Sequence, residues 1–128
     1  MINPVKYLKM KRIYIAGAYS ANNVLDVFHN IRNGIEMSSH ILRLGFAPFC
    51  PWLDYHYVLE DNFRVLTVQD FYEYSLAWLE VSDALLILKD YEHSKGTLAE
   101  IEFAKEKNIP VFYDVDELLN FFNSNLSD

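Results

Sequence analysis

Residues 84–113 read ALLILKDYEHSKGTLAEIEFAKEKNIPVFY, and three physical patterns follow one another within them. ALLIL (84–88) is apolar at every position, as a strand covered on both faces in the middle of a parallel sheet must be. Residues 96–107 carry helical spacing, and IPVFY (109–113) is a second strand with its proline at the start, where a missing amide is tolerated. A strand–helix–strand run of this length makes the two strands parallel, joined by a right-handed crossover.

Working outward, RIYIA (12–16) is a β-branched and aromatic run that ends at Gly17 and reads as a buried strand. Residues 24–44 follow a helical period, with Val24, Phe28, Ile31, Ile35, Ser38 and Leu42 on one stripe, and Gly45 ends the helix. FAPFC (46–50) is a short strand interrupted by Pro48 and closed by Pro51. WLDYHYVLEDNF (52–63) is expected to be irregular; a helix follows from about Leu66 to Val81, and a last short one over 115–123. The order βαβαβαβα predicts an α/β protein with a flavodoxin-like (Rossmann-like) open parallel sheet, order 2-1-3-4, and helices on both faces. The 128 residues fit a single domain, with residues 1–9 as an appendage.

Hydrophobic residues make up 52% of the chain, enough for a real core. The net charge of -7 and the lack of a Lys/Arg block argue against a nucleic-acid partner, although backbone amides can still hold a nucleotide-sized anion. One cysteine, Cys50, allows no internal disulfide, and no long apolar run or signal peptide is present. A cytoplasmic protein with no membrane partner is expected. His29, His40, His56 and His93 lack ligand spacing, so neither a metal nor another cofactor is expected.

In such a sheet, ligands bind at the carboxyl ends of the strands where strand order reverses, between the first and third strands. Two loops should meet there: Gly17-Ala18-Tyr19-Ser20-Ala21-Asn22 and Asp90–Lys95. Gly17 permits close backbone approach, and Ser94 and Gly96 introduce a helix with free amides. There is no phosphate-loop lysine motif and no G-x-G-x-x-G. Thr97-Leu98-Ala99-Glu100 has two readings. It spells a capping box, in which Thr97 and Glu100 satisfy each other's backbone donors. Alternatively Glu100, on an arc with Ala99, Ile101, Phe103 and Ala104, is a carboxylate aimed at the crevice and kept anionic by the helix N-terminus.

These motifs resemble a known family. RIYIAGAYS, Asn30, LGFAPFCP, SLAWLEVSDALLIL and above all S-x-G-T-x-x-E-x-x-x-A (Ser94 to Ala104) are similar to the nucleoside 2-deoxyribosyltransferase-like superfamily over about residues 10 to 113. The resemblance implies a glutamate nucleophile at Glu100 that attacks the anomeric carbon. Hydrolysis of the glycosyl-enzyme would make the protein an N-glycosidase, and capture by a second base a deoxyribosyltransferase. Ser94 implies a nucleoside 5'-monophosphate substrate, with Ser94, Gly96 and Thr97 near the phosphate and Gly17, Tyr19, Ser20 and Ser75 lining the rest. Ser75 departs from the family, which carries an aspartate there. Serine is a poor general acid, and Asp54, His56, Asp70 and Tyr72 stand as candidates for that role. Asp83 reads as a cap of the preceding helix or of the strand start, and Trp52, Tyr55 and Tyr57 as a base platform, a lid over core or a subunit contact. A non-catalytic nucleotide binder is the alternative from another class. The apolar 65–81 segment, together with the resemblance, implies a homodimer or larger homo-oligomer.

Overall fold

The computed structural model describes residues 10–126. The predicted appendage, residues 1–9, lies outside them. Four strands, β1 (Arg12–Ala16), β2 (Ala47–Phe49), β3 (Ala84–Ile87) and β4 (Val111–Phe112), form one parallel sheet in the order β2-β1-β3-β4. This is the predicted flavodoxin-like architecture. Helices α1 (Val24–Arg43), α2 (Tyr55–Glu60), α3 (Val68–Glu80), α4 (Lys95–Glu106) and α5 (Val115–Leu126) connect and flank it.

Period-2 alternation divides the central strands between two cores. Ile13, Ile15, Ala84 and Leu86 pack with Ile31 and Ile41 of α1, Trp52, and Leu118 and Phe122 of α5. Tyr14, Ala16, Leu85 and Ile87 face the other way, onto Leu79 of α3 and Ile101 and Ala104 of α4. β1 and β3 are therefore buried on both sides, which is why their sequences show no polar alternation. Pro48 sits within β2 opposite Ile13. A missing donor is acceptable there because β2 is an edge strand.

Three expectations need correction. The buried face of α1 is Ile31, Gly34, Ser38 and Ile41, whereas Val24, Phe28, Ile35 and Leu42 are exposed. The reason is Gly34: a Cβ there would lie 2.2 Å from the Trp52 ring, so the bare backbone is the dock for that indole. Residues 52–60 are not irregular, for a 3-10 turn (Pro51–Asp54) runs into α2, and only 61–63 stay outside regular structure. Finally, α4 starts one residue earlier than predicted, and its N-cap is Ser94, whose Oγ accepts from the Thr97 amide at 3.2 Å. Thr97 and Glu100 thus form no capping box. The sequence motif is present, but Thr97 is already the third helical residue, and its buried hydroxyl meets Ser94 Oγ at 2.9 Å.

Candidate active site

Glu100 is on the second turn of α4, on the face that packs against β1. Freed from any cap, its Oε2 accepts a hydrogen bond from the Tyr14 hydroxyl. Burial pushes the Glu100 carboxyl up from 4.5 to about 7, and the Tyr14 bond works against that rise. The expectation that the helix N-terminus keeps this carboxylate fully ionised is therefore corrected: desolvation outweighs a terminus worth roughly 0.3–1 kcal/mol. Burial, and after it the Glu100 charge, raises the Tyr14 phenol well above its usual range, while the Ser75 hydroxyl lowers it. Ser75, Tyr14 and Glu100 thus form one polar cluster between α3, β1 and α4, set among apolar side chains.

An aromatic wall adjoins the cluster. Phe49 at the end of β2 stacks on Tyr14 at 5.2 Å and on Trp78 at 5.6 Å, and Tyr74 leans on Phe49 at 5.9 Å. Tyr57 meets Tyr74 edge-on. Burial, followed by the contact with Tyr57, lifts Tyr74 to about 12.

The loop after β1 is pinned at three points. Trp52 Nε1 donates to the Ala18 carbonyl (3.0 Å), Asn30 Nδ2 to the Tyr19 carbonyl (3.1 Å), and the Tyr19 hydroxyl to Asp54 Oδ1 (3.0 Å). Asp54 is half-buried, and that burial raises its pKa against the lowering effect of Tyr19. Its charge in turn raises Tyr19, Tyr14 and Tyr74, which puts Asp54 within electrostatic reach of the Glu100 cluster.

The remaining predicted residues are placed as follows. Gly17 is packed against Leu88, whose Cβ would be 3.0 Å from a Cβ at position 17, so its bareness serves the junction of the β1 and β3 ends. Ser20 is exposed. Ser94 is half-buried at the head of α4, and Gly96 is open, with the Tyr72 ring 3.9 Å from where its Cβ would be. Of the other residues named from sequence, Trp52 is core and not a base platform. Asp83 takes the strand-start role, its Oδ2 accepting from the Arg12 amide at 2.7 Å.

A cleft of about 840 Å³ opens on the opposite face of the sheet, between α1 and the segments 86–90 and 113–115. None of the eight predicted site residues lines it. Tyr14 was not read from sequence as a site residue. The available signal was a phenol inside an otherwise aliphatic central strand, since a buried Tyr hydroxyl requires a partner.

Residues 11–114 match the family model described as a domain of unknown function, DUF7768. The chain belongs to this family. The matched span runs from β1 to the loop after β4 and takes in every residue of the Ser75–Tyr14–Glu100 cluster. No curated protein matches the sequence.

Proposed function

We propose that the protein is an N-glycosidase that hydrolyses the base–sugar bond of a nucleoside 5'-monophosphate, with Glu100 as nucleophile. The observation that carries this reading is the Glu100 carboxylate: released from helix capping, held by Tyr14 and adjusted by burial to about 7. A group poised there is ionised in useful amount at neutral pH, and a strongly perturbed carboxyl on the carboxyl side of a parallel sheet marks a functional-site candidate. The Tyr14 hydroxyl aims the carboxylate and steadies its charge. As Glu100 attacks the anomeric carbon, the base leaves through an oxocarbenium-like transition state, and water then releases the sugar phosphate. The head of α4, with its free amides and the Ser94 hydroxyl, offers the phosphate site. This reading agrees with the resemblance to the nucleoside 2-deoxyribosyltransferase-like superfamily. It carries with it a cytoplasmic setting and a homodimeric state.

The same burial favours a second reading, in which a protonated Glu100 and Tyr14 are a structural bond tying α4 to β1. Free-base release from a panel of nucleosides and nucleoside monophosphates, by wild type and Glu100→Gln, separates the two. The glycosidase reading expects release without an acceptor base, greatest with monophosphates and lost by orders of magnitude in Glu100→Gln. Base exchange only in the presence of a second base would indicate a transferase. Ligand-induced stabilisation without turnover would indicate a nucleotide binder.

A further inference from the structure

Breaking a base–sugar bond leaves an electron pair on a base nitrogen, and a group that holds a proton must meet it. Glu100 is spent as nucleophile. Ser75 is too weak an acid, and its hydroxyl is directed at Tyr14. Among the remaining side chains near the cluster, three are otherwise engaged or too open. Asp70 closes the capping box of α3, its Oδ2 accepting from the Thr67 amide at 2.8 Å. His56 is exposed, stacked on Tyr55 and tied by Nδ1 to the Leu53 carbonyl. Tyr72 is half-exposed over Gly96 at the phosphate end.

We propose that Asp54 is the acid that protonates the departing base and the base that then activates water. This rests on the glycosidase reading above. Asp54 ends the 3-10 turn after β2, on the carboxyl side of the sheet, and its charge reaches Tyr74 of the aromatic wall and Tyr14 of the Glu100 cluster. Only one of its oxygens is committed: Oδ1 accepts from Tyr19, and among the described residues Oδ2 accepts no hydrogen bond. A carboxyl fixed through one oxygen and open at the other is built to deliver a proton from the open one. Half-burial also raises its pKa, which increases the share that carries a proton. In the first step a Glu100 oxygen bonds to C1', the C1'–N pair moves onto the base nitrogen, and that nitrogen takes the proton from Asp54 Oδ2. In the second, water attacks C1', Asp54 takes one of its protons, and the C1'–O pair returns to Glu100. The sum is nucleotide plus water giving free base plus sugar phosphate.

The test compares Asp54→Asn with wild type on two kinds of substrate. One is the best of the four common 2'-deoxynucleoside 5'-monophosphates; the other is 4-nitrophenyl 2-deoxyribofuranoside 5-phosphate, whose nitrophenolate departs without a proton. Loss of about 100-fold or more in kcat on the nucleotide, with the first-turnover burst of nitrophenolate, which precedes the water step, within about threefold of wild type in rate, is the expected result. Equal loss on both, or loss on neither, would overturn the assignment while Glu100→Gln still tests the nucleophile separately. No turnover of either substrate by wild type would remove the glycosidase reading and this role together. Should Asp54→Asn not fold, Tyr19→Phe takes its place. Removing the Tyr19 donor raises the Asp54 pKa, so the high-pH limb of nucleotide turnover should move to higher pH; an unmoved limb would equally overturn the role.

Discussion

Glu100 carries a cost in stability whatever its function, and the sign follows from its pKa. Unfolded, the carboxyl titrates near 4.5; folded, near 7. The folded state therefore binds the proton more tightly. Its stabilisation is fully present below pH 4.5 and is lost as pH rises through about 7. Glutamine is neutral throughout and keeps a carbonyl for the Tyr14 hydroxyl. Glu100→Gln should thus be more stable than wild type at pH 8.5, by up to about 3 kcal/mol, with the advantage gone near pH 4.5. Urea unfolding at the two pH values measures this, and a variant less stable than wild type at pH 8.5 would contradict the burial argument. Ser94 offers a second test at this scale. Aspartate is as good an N-cap as serine, so Ser94→Asp should leave α4 intact. Its charge should nevertheless weaken binding of a monophosphate about tenfold or more while sparing the nucleoside, because one further anion is placed beside the phosphate. Equal losses for the two ligands, measured by calorimetry, would remove Ser94 from the phosphate site.

Among the elements, α1 depends on one missing side chain. In an exposed helix, Gly→Ala is stabilising by about 1 kcal/mol through backbone entropy. Gly34 should reverse that sign, because the added Cβ would sit 2.2 Å from Trp52 Cδ2 and Cε3. Trp52 is 2% exposed and anchored to the Ala18 carbonyl, so it has little room to yield. Gly34→Ala is expected to lose about 1–3 kcal/mol by overpacking and to loosen the loop that carries Tyr19. A denaturation midpoint equal to or above that of wild type would show that α1 shifts freely on the sheet. The exposed remainder of α1 shows why periodicity alone placed only Ile31 and Ser38 of its stripe on the buried face. Val24, Phe28, Ile35 and Leu42 are as apolar as the true inner face, and the deciding contact was a glycine, which no hydrophobicity pattern records.

At the scale of the whole molecule, apolar surface remains uncovered. Leu79 is the one fully buried residue of α3, whereas Val68, Tyr72 and Trp78 are about half-exposed or more, and Phe63 and Val65 before the helix are 87% and 70% exposed. The homodimer proposed above would cover this patch with a second copy. Light scattering at micromolar concentration should give twice the chain mass. Phe63→Glu combined with Val68→Glu should halve it without changing the far-ultraviolet circular dichroism. A monomeric wild type would contradict the expectation.

The sequence by itself determined the strand order, the parallel sheet and the position of Glu100 one turn into a helix. Those features follow from local patterns: uniformly apolar strands, helical spacing between them, and turn residues at the joints. Tertiary structure alone decided what Glu100 touches. The capping box was spelled correctly, yet Ser94 caps the helix because its Oγ reaches the Thr97 amide, and this leaves Glu100 free to meet Tyr14, 86 positions away in the chain. The approach of Ser75 and of the Asp54 charge to that pair was equally hidden. Their partners lie on different elements, and the pKa of a carboxyl is set by how much water the assembled fold removes from it, a quantity that no stretch of sequence contains.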